Sequence, residues 1–234
     1  VAEVIGEYMW ISFWIALVAM VLQFLIAIPL GVMSATHQYS PLDYTVTVLT
    51  MIGISLPSFF LGTLLIKVFA SNTGWLPMQG LVDAKADYTG IAHVGDVIRH
   101  CILPVATLVI INIGGLMRYS RTNTLEVLNA DYIRTARAKG LSEHTVIYKH
   151  AFRNTLIPLV TIIGGSLPGL FSGALITETL FSIPGIGYIS YQSMVGGDIP
   201  FSMFYLVFMA VLTLLGNLIS DILYAVVDPR VRIA

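Results

Sequence analysis

Residues 131–158 read DYIRTARAKGLSEHTVIYKHAFRNTLIP. The stretch is basic and polar, carries clear helix punctuation, and lies between two segments apolar enough to live in lipid. Before Gly140, Asn129 or Asp131 can cap a helix start, and Arg134, Arg137 and Lys139 stand where the negative end of a helix dipole favours cations. Gly140 then occupies the left-handed position just past a helix end. Leu125, Leu128, Tyr132 and Ala136 fall at i, i+3, i+7 and i+11, which gives one modest apolar stripe. Beyond the glycine, Ser142 can cap a second short helix with Glu143 in its first turn and VIYKHAF as its body, and Pro158 marks the return to lipid. The sequence therefore predicts two short helices joined by a glycine elbow at a membrane surface. Spacing alone fits two roles: a basic amphipathic pair lying on anionic lipid, or a polar element gripped by a soluble partner.

The flanks set the class. The chain has 234 residues, of which 56% are hydrophobic and 11% charged, with a mean hydropathy of +0.84. A soluble domain carries about 25% charged residues. The excess is concentrated in long uncharged runs, which points to an all-α polytopic membrane protein. Five runs are long enough to span, at approximately 9–35, 44–69, 101–122, 155–178 and 200–227. A sixth, Thr179–Gly197, contains SIPGIGYIS, and its closely spaced glycines and proline predict a re-entrant or surface loop. Loops are expected at 71–100, 129–155 and 179–199. Pro29, Pro57, Pro104, Pro158 and Pro168 can kink or end spans.

Orientation follows from Lys and Arg, which accumulate in cytoplasmic loops. Arg118, Arg121, Arg134, Arg137, Lys139, Lys149 and Arg153 lie between spans three and four, and Arg230 and Arg232 lie in the tail. Nine of the twelve basic residues thus fall on one side. The 71–100 loop sets Lys85 and Arg99 against Asp83, Asp87 and Asp96, which fits the outside. The C-terminus is then cytoplasmic and, with five spans, residue 1 is outside; a further span upstream of Val1 is expected. Cys101 is the single cysteine, so there is no intrachain disulfide and no Cys-based metal site.

RYSRTNTLEVLNADYIRTARAKG (118–140), ITETLFSIPGIG (176–187) and YAVVDPRVR (224–232), in this order, resemble the membrane subunits of ABC importers, in the dipeptide/oligopeptide/nickel branch. Those subunits carry E-A-A, three residues and Gly in a cytoplasmic loop. Counting back from Gly140 places Arg134, Thr135 and Ala136 in the E-A-A slots. The glutamate slot holds Arg134, and Pro158 lies 18 residues past Gly140 where the general pattern has about 13; both departures are features of this branch. The resemblance covers nearly the whole chain and implies the transmembrane domain of a type I ABC importer. Its partners would be a second, similar permease, two cytoplasmic ATPase subunits and an extracytoplasmic binding protein. It also implies that Arg134, Thr135, Ala136, Lys139, Gly140, Leu141, Ser142 and Glu143 dock on an ATPase, with Ala136 and Leu141 at the centre of that surface. Alternating access would be driven by ATP and Mg held on the ATPases, and this chain would hold no cofactor.

Other candidates are weaker. Gly165, Gly169 and Gly173 repeat at i, i+4 and i+8, a small-residue face suited to close helix approach. Glu178, Pro184, Gly185 and Gly187 are candidates for an outer gate or binding-protein docking surface; Glu178 equally suits a carboxylate at the wet headgroup level. Asp221 is expected to meet a cation or water. His37, His93, His100, His144 and His150 show no metal-ligand spacing. There is no phosphate-binding G-x-x-x-x-G-K-[ST] loop and no nucleophile–base pair, so the chain reads as a permease and not an enzyme, with lipid but no nucleic acid as partner. Dipeptides or oligopeptides are the expected cargo, nickel or another small solute such as glutathione the alternative within the family. A channel or receptor lacking an ATPase is the alternative from another class.

Overall fold

The computed structural model describes residues 1–84 and 88–227. Lys85, Asp87, Arg230 and Arg232, which enter the charge count, lie outside them. The described residues are helical, in the order α1 (Ala2–Thr36), α2 (Pro41–Ser55), α3 (Ser58–Leu65), α4 (Ile91–Leu128), α5 (Asp131–Ala138), α6 (Glu143–Thr145), α7 (Phe152–Gly165), α8 (Leu167–Ser172), α9 (Leu175–Leu180), α10 (Ile186–Val195) and α11 (Ile199–Val227). Ile66–Asn72 and Val146–Ala151 are π-helical and prolong their neighbours. Among the described residues four helical segments are long and apolar enough to cross a membrane, or five if α2 and α3 make one span.

Three expected boundaries change. The third span is not 101–122 but the 38-residue α4. Asp96 and Arg99 interrupt the hydropathy without interrupting the helix, because their charges are locally satisfied. The Asp96 carboxylate lies 3.3 Å from His100 Nδ1, and Arg99 donates to the Trp75 carbonyl at 2.7 Å. At 1.5 Å per residue α4 is about 57 Å long, nearly twice the hydrocarbon thickness, so its polar ends can stand clear of lipid. The second change concerns Pro158, which sits inside α7 and does not begin it; helix runs from Glu143 to Gly165 through the π-helical turn. The third is span four, expected as one helix over 155–178, which is interrupted at Ser166 and again at Gly173–Ala174.

The chain divides into two compact units. The first comprises Val1–Leu22, Ser55–Ile111 and Pro168–Leu212. Its core includes Ile5, Ile186, Phe201 and Tyr205, and Tyr205 donates its hydroxyl to the Ser172 carbonyl at 2.8 Å. The expected 179–199 loop belongs to this unit, and about half of it is the ten-residue α10. The second comprises Gln23–Ile54, Asn112–Leu167 and the chain from Thr213. Ala27, Leu116, Met117 and Leu159 form one core there, and Ile133, Ala136, Val146 and Ala151 form another. Close backbone approach builds this unit. A Cβ on Gly31 would lie 2.6–2.8 Å from Ser120 and Met117, and one on Gly164 would lie 2.5–2.6 Å from the Ser220 backbone.

Candidate functional site

The elbow forms at Gly140, by a slightly different route from the one its sequence suggests. Neither Asn129 nor Asp131 caps α5. The N-cap is Ala130 in an extended conformation (φ −70°, ψ 149°) with no side-chain hydrogen bond. Asn129 Nδ2 instead donates back to the Leu125 carbonyl at 3.0 Å, closing α4. Asp131 opens the first turn of α5, where a carboxylate suits the helix dipole. At the other end Lys139 is the C-cap and Gly140 takes φ +76°, a left-handed conformation that costs a side chain about 1–2 kcal/mol. Its N–H donates to the Arg137 carbonyl at 2.9 Å and that of Leu141 to the Ala136 carbonyl at 3.4 Å. Ser142 is extended, and its Oγ accepts the Thr145 N–H at 3.4 Å, capping the helix that Glu143 begins.

The two arms of the elbow pack against each other. Ile133 and Ala136 from α5 meet Val146 and Ala151 from the π-helical turn, with Val127 and Leu128 alongside. Ala136 is only 7% exposed, held by its own chain. This corrects its expected place on the presented surface: the apolar stripe serves the elbow itself. Arg134, Thr135, Lys139, Gly140, Ser142 and Glu143 remain exposed, and Leu141 is 41% exposed. Arg137 spans the corner to Glu143, with Nε 2.8 Å from Oε1 and Nη2 3.4 Å from Oε2. The result is a stiff, polar, cationic corner with one apolar side chain at its tip. From this corner the helix continues without a break to Gly165.

The same unit holds an ion pair that sequence reasoning missed. Asp43, at the start of α2, is buried, and Arg121 of α4 grips it with Nε on Oδ1 and Nη2 on Oδ2, both at 3.0 Å. Ser34 Oγ also donates to Oδ1, and the Tyr39 N–H donates to Oδ2 at 3.0 Å. Tyr39 adopts φ +60°, a conformation non-glycine residues rarely adopt, and that last bond holds it there. One carboxylate thus ties α1, the 37–40 turn, α2 and α4 together.

Glu178, expected near a surface, is 3% exposed. Its Oε1 accepts the Ser12 hydroxyl at 2.6 Å and the Ala174 N–H at 3.0 Å; its Oε2 accepts the Tyr188 N–H at 2.9 Å. Ser12 Oγ in turn accepts the Ile186 N–H at 2.9 Å. The carboxylate thereby satisfies the first turn of α10, a favourable place for negative charge. The SIPGIG glycines are what make this possible. A Cβ on Gly185 would come within 2.5 and 2.6 Å of the two carboxylate oxygens, and one on Gly187 within 3.0 Å of Oε2. Pro184 precedes them in the turn that brings α10 onto Glu178. Glu178, Gly185 and Gly187 are therefore brought together as a buried knot, with the Glu178 carboxylate held inside the chain.

The three span-four glycines do not share a helix face. Gly165 ends α7, Gly169 lies in α8, and Gly173 follows α8 at φ +74°. Gly165 and Gly169 face open space within the chain, whereas a Cβ on Gly173 would strike Gly187. Gly164, which the i, i+4 count passed over, is also in close contact, against the Ser220 backbone. Asp221 is exposed on α11. Among the described residues no group of three or more His, Cys, Asp or Glu could hold a metal ion.

Comparison with known proteins bears on the whole chain. Residues 27–233 match the profile of the family described as binding-protein-dependent transport system inner membrane component. The chain is 42% identical to the oligopeptide transport system permease protein AppB of Bacillus subtilis over 99% of its own length and 72% of that protein's. It is 34% identical to the oligopeptide transport system permease protein OppB of Haemophilus influenzae, again over 99% and 72% of the two lengths. In structure it resembles a chain of the MetNI methionine ABC transporter in an inward-facing conformation, with a TM-score of 0.74, 97% coverage of both chains and 19% sequence identity. That likeness establishes the shared fold, the transmembrane domain of a type I ABC importer.

Proposed function

Because the chain belongs to the family of inner membrane components of binding-protein-dependent transport systems, we propose that it is the permease subunit of an ATP-driven importer whose cargo is dipeptides or oligopeptides. As a multi-pass permease it forms the translocation pathway and catalyses no reaction itself. A second, similar permease completes the pathway, two cytoplasmic ATPases supply ATP and Mg chemistry, and an extracytoplasmic binding protein delivers cargo. The C-terminus is cytoplasmic, on the side of the elbow, in keeping with the clustering of Lys and Arg there. The peptide assignment rests on likeness to two oligopeptide permeases over 99% of this chain and 72% of each of them.

The observation that carries the mechanism is the construction of the elbow. Its two arms are internally packed through Ile133, Ala136, Val146 and Ala151, while Arg134, Lys139, Leu141 and Glu143 face outward. A soluble ATPase that grips this corner moves a braced element, and the movement passes directly into the helix through Pro158. The test is uptake by proteoliposomes containing the four membrane and ATPase subunits and the binding protein. Labelled di- and oligopeptides should accumulate in an ATP-dependent manner. Uptake of nickel alone would reassign the cargo, and uptake without ATP would favour a channel.

A further inference from the structure

We propose that Arg137 and Glu143 are positioning residues that fix the angle of the elbow, so that displacement of α5 is passed to the second arm; this rests on the coupling role proposed above. The corner has two sides. One is apolar, where Ile133 and Ala136 of α5 contact Val146 and Ala151. On the solvent-facing side Arg137 and Glu143 form a two-point side-chain link across Gly140. Between these sides runs a backbone whose flexible point is Gly140, in a conformation glycine enters freely and other residues do not. A joint held on one side alone can open like a book. The pair closes the second side and makes the corner a triangle.

The arrangement is specific to these two residue types. A guanidinium presents two parallel N–H donors that match the two oxygens of a carboxylate, which restricts rotation as well as distance. The other cations of the first arm have different fates: Arg134 pairs within α5 with Asp131 at 3.5 Å, and Lys139 is the C-cap. The Arg137 and Glu143 side chains are 42% and 61% exposed, so in the free subunit the pair adds little to stability. Its effect is on the geometry of the loaded elbow.

The experiment is a charge-swap series in the reconstituted transporter: Arg137→Glu, Glu143→Arg, and the double Arg137→Glu/Glu143→Arg. Uptake and ATPase stimulation by cargo-loaded binding protein are read side by side, with membrane yield of the complex as a control. Each single reversal should lower uptake per ATP hydrolysed by about five-fold, the upper range for an exposed pair. The double reversal should restore most of it. Single variants that couple like the parent would overturn the proposal, leaving the elbow to its apolar side. Loss in both singles without recovery in the double would also overturn it, since each residue would then contact the ATPase on its own account. Gly140→Val run in parallel separates the levels: if it too couples normally, the coupling role of the loop fails, and not merely its brace.

Discussion

Gly185→Ala is a one-methyl test of the buried knot. Gly185 has φ −96° and ψ 169°, a backbone that alanine adopts freely, so no conformational strain enters. The new Cβ would clash with the Glu178 carboxyl carbon and lie 2.5 and 2.6 Å from its oxygens, where ordinary contact begins at 3.4 Å, so the carboxylate must retreat by roughly 1 Å. A retreat of that size breaks at least one of the three hydrogen bonds that Ser12, Ala174 and Tyr188 donate. A hydrogen bond to a charged group contributes about 1.5–3 kcal/mol, and overpacking of a filled core commonly costs about 1–3 kcal/mol. The two overlap because they describe the same displacement, so the expected loss is about 2 kcal/mol. In a chain of this size that lowers the melting temperature by about 4–8 °C, read by size-exclusion fluorescence after heating in detergent. The double-mutant cycle is the sharper assay. In a Glu178→Ala background the obstruction is gone, so Gly185→Ala should cost less than about 0.5 kcal/mol. Additive losses, or a Gly185→Ala variant that melts with the parent, would refute the knot.

Three further outcomes follow from the same structure. Arg121→Ala strands the Asp43 carboxylate and should destabilise by about 3 kcal/mol, with the Asp43→Ala/Arg121→Ala double costing less than the sum of the singles in the same melting assay. Gly164→Ala should lower thermal stability measurably, since its Cβ meets the Ser220 backbone, whereas Gly169→Ala should not in the isolated chain, since its Cβ meets nothing within 4 Å. A single cysteine at Lys149 in a chain lacking Cys101 should resist an impermeant thiol reagent in intact cells and react once the membrane is opened; labelling in intact cells would reverse the proposed orientation.

What was legible in the sequence was what local chemistry determines. Gly140 and Ser142 announce a helix end and a helix start through their own backbone preferences, and both appear where expected. What was not legible depended on partners far along the chain. Asp43 and Arg121 are 78 positions apart, and Arg121 reads only as one more cation in a basic loop. Glu178 looked exposed because it borders a turn; its burial depends on Ser12, 166 residues earlier, which reads as an ordinary small polar residue in a span. Ala136 fitted a docking surface by motif position, but the chain's own second arm covers it. Pro158 looked like a boundary because proline often ends helices, whereas here the helix runs on through it. The glycine series was not legible as one face for a related reason: an i, i+4 count assumes one unbroken helix, and the chain breaks at Ser166 and Gly173.

The proposed coupling of ATP hydrolysis to transport through the 131–158 loop turns on Gly140. In the free subunit a Cβ at Gly140 meets nothing within 4 Å, so Gly140→Val disturbs the chain itself only through its φ of +76°, at about 1–2 kcal/mol. Membrane insertion and yield should therefore persist. The branched side chain would project into the space assigned above to the proposed ATPase contact and would pull the corner away from its left-handed turn. The direct measurement is ATP-driven peptide uptake, together with stimulation of ATPase activity by cargo-loaded binding protein, in proteoliposomes carrying Gly140→Val. Uptake should be lost and stimulation abolished at normal yield; parental uptake with parental stimulation would mean that the loop does not couple hydrolysis to transport.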